Sequence, residues 1–191
     1  MSLFLTDACK RWLGSLVIAS IESALAQTDA HCPEPSASLS DEERASVTTE
    51  LGSFVTLKIQ DMLRGCIGSI IGVEPLYKNV WRMARQAAFS DPRFAPLSKN
   101  EWPRCSAEIS VLSKPTVCPD LKAIEIGKHG LILQYGGRSG VFLPQVPIEQ
   151  GWNLSQYLDH LCLKAGVPVG SYKKEGAVLY YYDATVFPVE R

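Results

Sequence analysis

The six cysteines, Cys9, Cys32, Cys66, Cys105, Cys118 and Cys162, include no CxxC pair and have no histidine at zinc-finger spacing. In a chain of 191 residues, long enough to bury a core without covalent staples, that scatter speaks for reduced thiols rather than a disulfide framework. A marked excess of either charge is missing as well. With 19 basic and 20 acidic residues the formal net charge is -1, so no basic excess is present to neutralise a nucleic-acid backbone. No apolar run approaches the length of a membrane span. A GxxxxGK[ST] phosphate loop, a GxSxG nucleophile elbow, a dinucleotide fingerprint and internal repeats are all absent from the sequence. Glu108, Cys118, His129, His160 and Cys162 show no metal-ligand spacing, so the residues imply no metal site and name no cofactor. These absences leave a water-soluble, cytoplasmic protein, with 46% hydrophobic and 20% charged residues, as the expectation.

The first segment imitates a secretory leader: Lys10 and Arg11, then Leu13 to Ile21, then Ala24-Leu25-Ala26. Glu22 interrupts that pattern, and Leu5, Trp12, Leu13, Leu16, Val17, Ile21, Ala24 and Leu25 recur at three-and-four spacing. The spacing predicts an amphipathic helix over about 6–27, capped by Thr6 or Asp7. A polar loop with Pro33 and Pro35 follows at 31–40, and Ser40-Asp41-Glu42-Glu43 fits a capping box for a short helix.

Alternation of Val55, Leu57 and Ile59 against Phe54, Thr56 and Lys58 predicts a strand, and with Leu63 to Ile71 a hairpin over about 54–71 turning at Gln60-Asp61. Pro75 opens a helix with a stripe of Leu76, Val80, Met83, Ala84, Ala87 and Ala88, which Asp91-Pro92 ends. Strands are predicted at Cys105 to Leu112, Ile124 to Ile126, Gly130 to Tyr135 and Val141 to Leu143, with Gly136 to Gly140 as a glycine-rich turn. Asn153 caps a helix that runs to Ala165, and a strand over about 177–186 closes the chain. Helices and strands mix without regular alternation, which points to one α+β domain over 1–191 with a largely antiparallel mixed sheet flanked by helices.

The stretch LRGCIGSI, Leu63 to Ile70, carries the chemistry. On an alternating strand Arg64, Cys66 and Gly68 share one face and Leu63, Gly65 and Ile67 the other. A guanidinium beside a thiol favours thiolate, and Gly68 leaves room above it for a ligand or a second backbone. Against this stands the plain reading: glycines that mark a bulge or close packing, an arginine that pairs with a carboxylate, and a cysteine that only packs. A nucleophile needs a base, and the candidates are His129 at a strand start and His160 on a helix, each better suited to a surface or capping role. Asp91 and Arg93 either present a guanidinium to an anion or lock the helix exit, and Arg138 within Gly136 to Gly140 offers an anion-binding hairpin or simply a tight turn.

Seven blocks in order, LRGCIGSI at 63, PLYKNV at 75, AAFSDPRF at 87, EISVLSKP at 108, IGKHGLIL at 126, GGRSGVFLPQV at 136 and GWNLSQYLDHLCLKAGVP at 151, resemble the AMMECR family, also known as protein A of the AmmeMemoRadiSam system. The likeness runs from about the first helix to Phe187. It implies a larger and a smaller lobe with a cleft between them, and function centred on LRGCIG, complete here as Leu63 to Gly68. It also implies a Memo-like protein and a radical SAM enzyme as partners in a shared modification pathway, but no reaction type. Tyr172 stands where members of the family often carry tryptophan, which keeps an aromatic ring. Two readings follow: a ligand- or partner-binding module using Arg64, Gly65, Gly68, Asp91, Arg93 and Arg138, or an enzyme whose nucleophile or ligand-contacting thiolate is Cys66.

Overall fold

A computed structural model describes residues 5–191. Contacts divide the described residues into two compact units: residues 5–112 together with Thr185–Arg191, and Ser113–Ala184.

In the first unit, helix α1 (Asp7–Leu25) starts where Thr6 accepts a hydrogen bond from the Cys9 amide, and it buries Leu13, Leu16, Val17 and Ile21. The leader-like segment is thus a structural helix, and among the described residues no helix is long and apolar enough to cross a membrane. Helix α2 (Asp41–Thr48) begins in the capping box expected at Ser40 and Glu43. Strand β1 (Ser53–Ile59) turns through Gln60 and Asp61, both with positive φ, into β2 (Met62–Ser69). Positive φ at both central residues matches the twist of a two-residue hairpin, which is why the turn is this short. Helix α3 (Leu76–Phe89) buries the predicted stripe and ends at Ser90, before Asp91-Pro92. Strand β3 (Cys105–Leu112) pairs with β1, and the order β2-β1-β3 leaves β2 at the edge. Val55, Leu57, Ile109 and Val111 are fully buried in one core with α1 and α3.

In the second unit, β4 (Thr116–Val117), β5 (His129–Tyr135) and β6 (Arg138–Phe142) precede α4 (Val146–Glu149), α5 (Leu154–Lys164) and β7 (Val178–Pro188). β5 pairs with β6 on one side and β7 on the other, while β4 joins β7 at Tyr180 and Tyr181. A separate core of Leu131, Leu133, Tyr157, Leu158, Leu161 and Cys162 holds α5 on these strands. β7 is one continuous strand whose last residues belong to the first unit. Among the described residues, seven strands and several helices, with every described pairing antiparallel, make the α+β fold that the element pattern predicts.

Two local expectations are corrected, and two short elements are unexpected. Ile124 to Ile126 is not a strand: a 3-10 turn over Leu121–Ala123 leads instead into a bend closed by Glu125, whose carbonyl accepts from the His129 amide. The glycine turn is two residues rather than five, because Gly136 and Gly137 both take positive φ and Arg138 and Ser139 already pair with Tyr135 and Gln134. The short β4 and α4 carry no clear sequence period, being two and four residues long.

Candidate functional site

The site grows from the edge position of β2. Thr56 pairs with Cys66 and Phe54 with Gly68, but Leu57 pairs with Gly65 and Lys58 with Leu63. Arg64 is therefore the extra residue of a β-bulge, and the alternation expected to set it beside Cys66 does not run through it. Its guanidinium grips Glu101 in a two-point pair, Nε to Oε1 at 2.9 Å and Nη2 to Oε2 at 3.2 Å, and Nη2 also donates to the Ala95 carbonyl at 2.9 Å. Glu101 accepts further hydrogen bonds from the Ser98 amide and hydroxyl, and with Arg64 foremost these push its carboxyl down to about 2.

The two glycines of the motif answer to packing. A side chain at Gly65 would run into the Ala87 carbonyl of α3, so only glycine lets the helix lie this close. Above Gly68, the space expected for a ligand is taken by the Phe54 ring and the Ser53 carbonyl.

Asp91 and Arg93 reach the backbone of Cys66 itself. The Cys66 amide donates to Asp91 Oδ2 at 2.8 Å, and Arg93 Nη2 donates to the Cys66 carbonyl at 3.1 Å. Arg93 also donates to Asp91 through Nε at 3.0 Å, Nη2 at 2.7 Å and its own amide at 3.1 Å. The hydrogen bonds from the Arg93 guanidinium, helped by the Cys66 and Arg93 amides, hold the Asp91 carboxyl well below the usual carboxylate range despite its burial. The guanidinium bound to the Cys66 peptide is thus that of Arg93, not Arg64. Both arginines stand over the Phe94 ring, at 5.6 and 5.8 Å from its centre.

The thiol has a different neighbour. Thr56 donates its hydroxyl to Cys66 Sγ at 3.3 Å. On the other side of β1, Thr56 lies opposite Glu108 and Lys58 opposite Ser106, and Lys58 Nζ is 3.8 Å from Glu108 Oε2. Directly paired residues project to the same side of a sheet, so Cys66, Thr56 and Glu108 form one row across three strands, on the face opposite buried Val55 and Leu57. Sequence reasoning did not single out Thr56, Lys58 and Glu101, and weighed Glu108 only as a metal ligand. The polar half of the β1 alternation and the matching Ser106, Glu108 and Ser110 of β3 were the available signal.

The remaining candidates lie in the second unit with partners of their own. His129 is buried, its Nδ1 accepting from the Glu125 amide at 2.9 Å and its Nε2 3.5 Å from Asp183 Oδ1. In the neutral ring the proton then sits on Nε2, near Asp183 Oδ1 but without a hydrogen bond to it, which leaves no free lone pair for proton abstraction. His160 stacks flat on the Trp152 ring at 4.0 Å. Arg138 donates to the Gly166 carbonyl just past the end of α5. The structure thus gathers Arg64, Gly65, Cys66, Gly68, Asp91 and Arg93 into one cluster of the first unit, while His129, His160 and Arg138 belong to the second. Among the described residues, no three His, Cys, Asp or Glu side chains gather as a metal ion would require.

An α+β chain with a glycine-cysteine edge strand clamped by an Asp-Arg pair defines the structural class. The AMMECR1 family model matches residues 15–187, and the chain belongs to that family. It is 38% identical over 154 residues to Protein NEQ441 of Nanoarchaeum equitans, covering 77% of this chain and 86% of that one. A protein of Aquifex aeolicus is 42% identical over 144 residues, covering 72% of this chain and 74% of its own. The crystal structure of an uncharacterized protein, PH0010 from Pyrococcus horikoshii, superposes with a TM-score of 0.81 at 31% identity, covering 96% of this chain and 93% of that one.

Proposed function

We propose that this chain is a ligand- or partner-binding module whose contact surface is built on LRGCIG, serving a modification pathway with a Memo-like protein and a radical SAM enzyme. The observation that carries the binding reading is the row Cys66, Thr56 and Glu108, polar groups aligned across three strands on the face opposite the buried one. Such a face offers a sulfur, a hydroxyl and a carboxylate, with Lys58 beside them, to a polar partner or ligand. Arg64, Asp91 and Arg93 frame it, and Gly65 and Gly68 set its backbone. The Arg93 side chain remains 53% exposed while bound to Asp91, which leaves it able to meet an anionic group. Arg138 is a contact of the same kind on the second unit. The pathway rests on the family resemblance.

Purified chain mixed with the Memo-like and radical SAM proteins of its own organism tests this. Co-purification, or a raised melting temperature that Cys66→Ser and Glu108→Gln each diminish, is the expected result. The absence of both a complex and stabilisation overturns it.

A second reading makes Cys66 a ligand-contacting or nucleophilic thiolate. It is favoured by the Thr56 hydroxyl, which donates to the sulfur at 3.3 Å and so places a donor on the atom that would attack. Cys66 that resists iodoacetamide in the folded protein at about pH 8, near the ordinary thiol pKa, sinks it.

A further inference from the structure

An edge strand presents unpaired N–H and C=O groups, which makes it a template for another strand. β2 is such a strand, and its flanks are apolar and open: Met62 is 67% and Leu63 41% exposed at one end, and Ile71 61% and Val73 76% just beyond the other. Antiparallel pairing of two copies centred on Cys66 would set the Met62 end of one against Ile70 and Ile71 of the other, joining these apolar residues across a two-fold axis. The middle of the strand is built against this. The bulge at Arg64 breaks the ladder and puts a charged side chain on the edge. Next to it, Asp91 Oδ2 accepts from the Cys66 amide where a neighbouring strand would offer a carbonyl, and Arg93 Nη2 donates to the Cys66 carbonyl where that strand would offer an amide.

We propose that Asp91 and Arg93 are an edge guard: a surrogate strand made of two side chains, which blocks strand addition along β2 by a second copy of this chain. The pair is well suited to the task. Asp91 is almost fully buried and tied to Arg93 at three donors, so the surrogate is rigid, and it fills both hydrogen-bonding groups of the one residue at the centre of the edge. This reading does not depend on what the Cys66 face binds.

Sedimentation velocity of the full chain decides it, comparing wild type with Arg93→Ala and Arg93→Gln over a range of concentrations, with far-UV circular dichroism to confirm folding. The expected result is a new species of doubled or greater mass in both variants, growing with concentration, and its loss when Met62→Lys is added. Folded variants that sediment as wild type overturn the proposal. So does association that survives Met62→Lys undiminished, because it then runs through another surface. Failure of both variants to fold overturns it too, since a guard on an edge is dispensable for folding in a way that a core contact is not.

Discussion

The Cys66 amide points at the Asp91 carboxylate at 2.8 Å, joining the signature strand to the turn that ends α3. Two stretches 25 residues apart therefore act as one piece, and charge is what holds them. Glu101 and Arg64 repeat the device one turn further along the chain. Both acids are depressed below their ordinary values, so the sign of the pH dependence is fixed. Each contributes stability that is complete above its unfolded value, 3.8 for Asp91 and 4.5 for Glu101, and that drains away as pH falls toward the folded one. For Glu101 the window runs from 4.5 down to about 2. Urea unfolding across that window should show wild type losing stability more steeply than Glu101→Gln. Parallel pH profiles for the two would show that the pair contributes nothing.

Glycine to alanine should change sign with position. At Gly65 the added methyl meets the Ala87 carbonyl, backbone that cannot step aside, and the loss should be at least the roughly 1–3 kcal/mol of an overpacked core. At Gly14, inside α1, the same methyl finds only ordinary contact with Val189, 3.5 Å away, and should gain up to about 1 kcal/mol from helix propensity. Chemical denaturation of the two variants beside wild type reads both.

How much of this was open to a reader of the sequence varies with the range of the interaction. The caps at Thr6, Ser40 and Asn153, the α3 stripe and the Leu57 face follow from periods of 3.6 and 2, because each is decided within a few residues. The bulge at Arg64 is not decided locally. It is a matter of register between two strands, and nothing in LRGCIG says which residue will be skipped. The same holds for the partners of the motif. On an alternating strand Arg64 is the thiol's neighbour, and only the closure of the loop after α3 brings Arg93 to the Cys66 peptide and Glu101 to Arg64. The glycines were legible as close approaches, but Phe54, the side chain that fills the space over Gly68, sits on a different strand.

Among the half-buried thiols Cys66 should be alkylated first. Burial pushes the Cys32 thiol up to about 11, and raises Cys118 as well, so both carry little thiolate near neutrality. Cys9, Cys105 and Cys162 are buried out of reach. Mass spectrometry of peptides after brief iodoacetamide treatment at about pH 8, near the ordinary thiol pKa, should find label on Cys66 ahead of the others. Thr56→Val removes the hydroxyl that donates to the sulfur, and should slow the labelling by about fivefold, the effect of a hydrogen bond worth about 1 kcal/mol. Label appearing first on Cys32 or Cys118 contradicts this order.

His129 offers the sharpest check on the second unit. With Nδ1 accepting from the Glu125 amide, the neutral ring can carry its proton only on Nε2, where it faces Asp183 Oδ1. Nitrogen-15 spectra of the ring at neutral pH should show the Nε2–H tautomer alone, and Asp183→Asn should leave that tautomer in place, because the Glu125 amide selects it. His129→Asn puts a side-chain carbonyl close to where Nδ1 accepts, and should retain more slow hydrogen exchange at the Glu125 amide than His129→Ala does. A ring found as Nδ1–H would mean that the Glu125 amide does not hold this histidine and would return its Nε2 lone pair to the chemistry, whereas an Asp183→Asn spectrum that switches tautomer would mean that Asp183 rather than the backbone selects it.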